Sequence, residues 1–274
     1  MNTPLSTISD SDAAPAPALR LCVLASGSAG NCTYIETDHD ALLIDAGLSA
    51  KETLRRLLSL NLDPAKIRAI CITHEHSDHI RGVPRLHKLL QVPLYANSAT
   101  AHAVKDTTLA DWHCITNGSD FRIGDFDIRP FSLPHDAYDP VGYRVACGSI
   151  RIGIATDLGI PTALIRETLR GCHALVLEAN HDEDLLRDSP RPWRLKQRIL
   201  GSQGHLSNAT AADLLAEIAG DTLQEVFLAH LSQECNREEL ALTTVRNRLN
   251  AAGLGRIQIH AARPDTPTLL YPFF

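Results

Sequence analysis

CITHEHSDHIRG, Cys71 to Gly82, decides how this chain is read. His74, Glu75, His76, Asp78 and His79 crowd together directly behind the apolar run Ile67 to Ile72. Three imidazoles and a carboxylate side by side would cost desolvation and mutual crowding if buried unpaired, and a bound cation removes most of that cost. The segment therefore reads as the entry to a metal site, for which the rest of the chain must supply further ligands.

Such ligands belong just past the ends of strands, where layered α/β folds expose side chains to a shared cleft. His135 follows the apolar segment Ile128 to Leu133, Asp157 follows Ile150 to Ala155, and His230 follows Val226 to Ala229. Imidazoles at i and i+2 on an extended segment point the same way, so His74 and His76 serve one ion. Asp78 and His79, after the chain turns, address a second. The carboxylate of Asp157 has two independently accepting oxygens and can bridge both. One site is thus expected from His74, His76, His135 and Asp157, and the other from Asp78, His79, Asp157 and His230. This mixed donor set favours zinc, with manganese or iron as alternatives, giving two divalent metal ions as the expected cofactors. Asp45, before Gly47, reads as a turn cap or as a brace behind the ligand loop.

The 274 residues are 44% hydrophobic and 21% charged, enough to bury a sizeable core. A net charge of −6 argues against nucleic-acid binding by overall charge, so such a partner would need a local basic surface. Arg187, Arg191, Arg194, Lys196 and Arg198 make one basic cluster, which reads first as a solvated face. Seven scattered cysteines without a CxxC pair exclude a disulfide or zinc-ribbon framework. With no membrane-length apolar run and no signal-peptide pattern, the expected location is the cytoplasm.

Residues 1–18, ending in APAPA, read as a disordered tail, followed by a single domain over 19–274. Strands are expected at Leu19 to Leu24, Cys32 to Thr37 and Ala41 to Asp45, then a helix from Ser49 with a Ser49/Glu52 capping box. The strand Ile67 to Ile72 delivers the ligand loop, ahead of a helix to about Leu90 and a strand Pro93 to Ala96. Residues 97–105 are weakly helical. The second half opens with a hairpin turning at Gly124-Asp125, continues with strands Val141 to Cys147 and Ser149 to Ala155, and adds a helix Thr162 to Leu169 and a strand Ala174 to Glu178. Residues 181–204 are the least regular. Ser207 caps a helix, Glu225 to Ala229 is a strand, Asn236 and Glu239 form a second capping box, and Arg256 to His260 is the last strand. This order points to two sheets packed together with helices outside.

THEHSDH resembles the HxHxDH signature of the metallo-β-lactamase fold, and Asp45, His135, Asp157 and His230 match its other motifs in order. The resemblance implies a four-layer αββα sandwich of two mixed sheets, classed α/β (α+β), with a dinuclear site at its edge. LASGSAGN, LIDAGLS, LEANHD, GHLSN and LAHLSQECN add a narrower resemblance to the YycJ (WalJ) branch of bacterial DNA 5′-to-3′ exonuclease-like proteins, spanning about residues 21 to 236. Trp193 departs from it, standing where a tyrosine is expected. The interval from Asp157 to His205 leaves no room for the cap domain of β-CASP nucleases.

Two ions can lower the pKa of a shared water from about 15.7 to near 7, supplying a hydroxide for attack on phosphorus or a carbonyl carbon. The leaving oxygen then needs an acid, for which His205 in GHLSN is the candidate. The resemblance implies the same role, that of a non-ligand histidine assisting the leaving group. Asp78, His205 and Glu178 make up the expected catalytic set. Asn180 and His181 in EANHD, with Ser28 and Asn31 of the small-residue loop, are the expected substrate contacts. The leading expectation is a dinuclear phosphodiesterase acting on DNA ends. A thioester or lactone hydrolase of the glyoxalase kind and a non-catalytic metal-binding regulator are the alternatives.

Overall fold

The computed structural model describes residues 19–104 and 111–274. The tail expected over 1–18 lies outside them. In chain order the first half holds β1 (Leu19–Ala25), β2 (Cys32–Glu36), β3 (Ala41–Ile44), α1 (Ala50–Ser59), β4 (Ile67–Cys71), α2 (Ser77–Ile80), α3 (Val83–Leu90), β5 (Leu94–Asn97), α4 (Ser98–Ala103) and β6 (Trp112–Ile115). There follow β7 (Phe121–Ile123), β8 (Phe126–Ser132), β9 (Val141–Cys147), β10 (Ile150–Ala155), α5 (Ala163–Leu169) and β11 (Ala174–Glu178). The chain ends with α6 (Glu183–Asp188), α7 (Trp193–Leu200), α8 (Asn208–Ile218), β12 (Glu225–Ala229), α9 (Glu238–Ala251), β13 (Gln258–Ala261) and β14 (Tyr271–Phe273).

The strands form two sheets of seven, ordered β14-β1-β2-β3-β4-β5-β6 and β13-β12-β11-β10-β9-β8-β7. Each sheet is antiparallel on one side and parallel on the other, the parallel runs being β3 to β6 and β10 to β13. Inner-face residues of both sheets, among them Leu21, Ile35, Ile44, Tyr143, Ile152 and Phe227, share one buried cluster. A second cluster joins the outer face of one sheet to α5, α8 and α9, and a third joins the other sheet to α1 and α3. The result is the expected αββα sandwich, because strands apolar on both faces must be covered on both.

Several local expectations are corrected. Residues 181–204 contain two helices, α6 and α7, which their prolines and short length obscured. The Ser49 box is half formed: Ser49 accepts from Glu52 N, while the Glu52 carboxylate binds Arg55 and Arg56 instead of turning back. The Asn236 box does not form, since α9 begins after Arg237 and the Asn236 amide is engaged with Ala179 O, Asn180 O and Asn208. Two edge strands had not been anticipated. In β14 Pro272 pairs opposite Arg20, a position tolerated because an edge strand needs no donor on its open side. β6 is only partly buried and lacks the apolar run that marks a strand.

Candidate metal centre

The ends of β3, β4, β8, β10, β11 and β12 converge on one edge of the sandwich. There His74, His76 and His135 bring one ligand atom each to within 4.8 Å of one another, as do Asp78, His79 and His230. Asp157 lies between these groups, with Oδ2 3.1 Å from His79 Nε2 and Oδ1 3.4 Å from His230 Nδ1 and 3.9 Å from His135 Nε2. All seven expected ligands are therefore in one place, with Asp157 central as its two oxygens require.

Outer partners orient four of the rings. Carbonyl and carboxylate oxygens only accept, so His79 Nδ1 donates to Asp45 (2.7 Å), His135 Nδ1 to Gly204 O (3.2 Å) and His230 Nδ1 to Glu178 (3.1 Å). Thr73 Oγ1 donates to Asp45 Oδ2 at 2.8 Å and so accepts from His74 Nδ1 at 3.0 Å. Each ring is left with Nε2 facing the cluster, the arrangement by which outer partners fix the tautomer of a metal-binding histidine. Asp45 is thus the brace, and Thr73, missed in the sequence although it lies inside the motif, extends it.

Three site residues, Asp45, Asp157 and His230, hold left-handed backbone with φ of 61°, 62° and 54°. Each follows a strand, and the left-handed turn swings its side chain back over the sheet edge. Such a conformation costs a non-glycine residue on the order of 1 kcal/mol or more and persists only where surrounding structure imposes it. Ser26 Oγ accepts from His230 N at 2.7 Å and helps to hold that turn.

The donors fit metal ions on the evidence of their own unmet bonding. Asp157 Oδ2 and His230 Nε2 are buried without an acceptable hydrogen-bond partner, and His74 Nε2 faces His76 Nδ1 at 3.0 Å. Charges crowd accordingly. Burial opposes the imidazolium of His79, yet Asp45 and Asp157 outweigh it and raise its pKa to about 10. His230 is likewise raised against its burial, chiefly by Asp157. Burial also opposes ionisation of Asp157, but His230 and His79 hold its carboxyl well below the usual range. His74, dominated by burial and by neighbouring His79, is depressed.

Beside this cluster His205 Nδ1 donates to Glu178 Oε1 at 2.7 Å. Burial would lower its pKa, and the charge and hydrogen bond of Glu178, aided by Asp157, raise it instead. Glu178 is fully buried and also accepts from Leu158 N and Leu206 N, so it positions His205 and His230 and is closed to substrate. Its pKa falls to about 2, because His205 and His230 overcome the burial that would raise it.

The expected substrate contacts divide. Ser28 and Asn180 line the cleft together with His205 and His230. Asn180 also donates to His230 O at 2.8 Å. Asn31 is buried and committed: Oδ1 accepts from Gly27 N, and Nδ2 lies 3.2 Å from Asp78 Oδ2 and 3.1 Å from His79 Nε2. It supports the ligand loop. His181 is enclosed, with neither ring nitrogen partnered, and is likewise beyond reach of a substrate.

A layered αββα sandwich whose edge gathers histidines around a central aspartate defines the metallo-β-lactamase class. Residues 41–230, more than half of the chain, match the Beta-lactamase superfamily domain. The chain is 38% identical to exodeoxyribonuclease WalJ of Streptococcus pneumoniae, over 90% of this chain and 96% of that protein. It is 36% identical to exodeoxyribonuclease YycJ of Bacillus anthracis, over 91% and 97%. The chain belongs to the WalJ/YycJ family of the metallo-β-lactamase superfamily. The metallo-β-lactamase fold protein YhfI of Bacillus subtilis superposes with a TM-score of 0.74 at 16% identity, covering 94% of this chain and 100% of YhfI, which supports the fold. Among the described residues no helix is long and apolar enough to cross a membrane.

Proposed function

We propose that this protein is a metal-dependent exodeoxyribonuclease that hydrolyses phosphodiesters at DNA ends, working in the 5′-to-3′ direction. The observation that carries this reading is the His205–Glu178 pair beside the ligand cluster: a positioned acid is what a phosphodiester leaving group needs and what a ligand cluster alone lacks. The family relatives, named exodeoxyribonucleases, point to the same substrate class.

His74, His76, His135 and Asp157 would hold one divalent ion and Asp78, His79, Asp157 and His230 the other, zinc or manganese by their donor types. Bound there, the pair supplies Lewis-acid charge for the phosphoryl oxygens and a nucleophilic water at neutral pH. The chain's own residues do the rest. Asp45, Thr73, Gly204 and Glu178 keep four imidazoles aimed inward. The Glu178 carboxylate, holding Nδ1–H, favours the imidazolium of His205, whose second proton at Nε2 is the one delivered to the departing sugar oxygen. Asn180 steadies the His230 turn beneath the cleft.

The test uses purified protein with manganese or zinc on 5′-phosphorylated DNA beside a His76→Ala variant. Mononucleotide release by the wild type and its loss in the variant are expected. Thioesters and lactones, assayed beside bis-p-nitrophenyl phosphate, would have to be the better substrates for the small-molecule reading to replace this one.

A further inference from the structure

Residues 189–204 carry Arg191, Arg194, Lys196 and Arg198 and no acidic residue, in a chain of net charge −6. Lys196 turns inward and donates to Arg187 O, tying α7 to α6. Three guanidinium groups remain outside. Arg191 pairs with Glu234 at 2.9 Å, Arg198 pairs with Asp136, and Arg194 forms no ion pair among the described residues. Surface ion pairs of this kind are weak, so either arginine can exchange its carboxylate for a phosphate at little cost.

The placement of these groups is specific. Arg191, Leu195 and Arg198 form a wall of the same cleft that His205 and His230 line. A second, open cleft is lined by Pro192, Arg194, Leu195 and Arg198. The two share Leu195 and Arg198, so a continuous cationic path leads outward from His205 along α7. Trp193, the first residue of α7 and next to Arg194 in sequence, is 63% exposed. A scattered exposed apolar residue needs no explanation, but an exposed indole heading a helix that carries exposed arginines offers the stacking surface and the cations that together grip a nucleic-acid strand.

Resting on the nuclease reading, we propose that α7 is the strand-binding wall: phosphates next to the scissile one lie against Arg198 and Arg194, and an exposed base of the strand end stacks on Trp193. This explains how an acidic protein attracts a polyanion. Overall charge repels it, and the exposed cations of α7 supply a local attraction.

The experiment compares metal-loaded wild type, Trp193→Ala and Arg194→Ala on a 5′-phosphorylated oligodeoxynucleotide and on bis-p-nitrophenyl phosphate. Loss of a stacking platform weakens strand binding about 5- to 100-fold, read as a raised KM for the oligonucleotide. Arg194→Ala should also lower the slope of log affinity against log salt by about 0.7 to 0.9. Turnover of the small ester should stay at the wild-type level in both, because it carries no neighbouring phosphodiester or nucleobase for either residue to hold. In Trp112→Phe protein, where Trp193 is the remaining indole, oligonucleotide should quench the fluorescence. An oligonucleotide that the wild type cleaves and both variants cleave with unchanged KM overturns the wall and leaves the nuclease reading standing. A wild type that hydrolyses the small ester and no oligonucleotide overturns both.

Discussion

Glu178 Oε1 accepts a 2.7 Å hydrogen bond from His205 Nδ1, so a fully buried carboxylate sets the protonation of a side chain at the floor of the cleft. The same oxygen lies 3.1 Å from His230 Nδ1, joining the proposed acid to a proposed ligand.

That bond predicts a pH signature. The acid role uses protonated His205, whose pKa lies above its ordinary value of 6.5, so activity should persist above that pH and fall on an alkaline limb. Glu178→Gln removes the charge that raises this pKa, and the alkaline limb should move to lower pH. His205→Ala should lower kcat by roughly 10²- to 10⁴-fold. Rate profiles on bis-p-nitrophenyl phosphate and DNA check both; an unmoved limb in Glu178→Gln would remove His205 as the acid.

Asp45→Asn keeps a residue type that tolerates left-handed backbone while removing the negative charge on which His79 Nδ1 and Thr73 Oγ1 converge. Metal affinity should fall about 10- to 100-fold with the fold intact. Competitive chelator titration with circular dichroism measures the two separately.

Metal loading should expel protons. In the metal-free protein His79, with a pKa raised to about 10, is protonated at neutral pH, and the pKa of His230 is raised as well, whereas ligation needs an unprotonated Nε2. Affinity should therefore climb as pH rises from 7 towards 10. Calorimetric titration in buffers of different ionisation enthalpy counts the protons, and heats independent of buffer would contradict this account.

Gly47→Ala tests the seating of the ligand loop. A Cβ there would fall 1.6 Å from Asp78 O and 2.6 Å from Asn31 N, both backbone atoms that a rotamer change cannot relieve. Overpacking costs about 1–3 kcal/mol where side chains can adjust, and this site should lie at or beyond the upper end. Thermal denaturation should show a lowered Tm together with lost metal affinity; a wild-type Tm would show that the loop yields easily.

The sequence by itself determined which candidate ligands gather at the sandwich edge, and their order. Ligand-type density behind an apolar strand is a local signal, and His135, Asp157 and His230 each follow a recognisable strand. It also determined the packing of two sheets between helices, because strands apolar throughout must be covered on both faces. The edge strands β6 and β14 escaped for the converse reason, being short and partly exposed. Tertiary structure alone decided which nitrogen of four rings is held by an outer acceptor, since those acceptors are remote in the chain: Asp45 for His79, Gly204 for His135, Glu178 for His205 and His230. It likewise decided that Asn31, His181 and Glu178 are enclosed while Ser28 and Asn180 face the cleft, because burial depends on what packs above a residue and not on its type. The stretch CITHEHSDHIRG announces a metal site; the folds of chain around it determine where each proton sits.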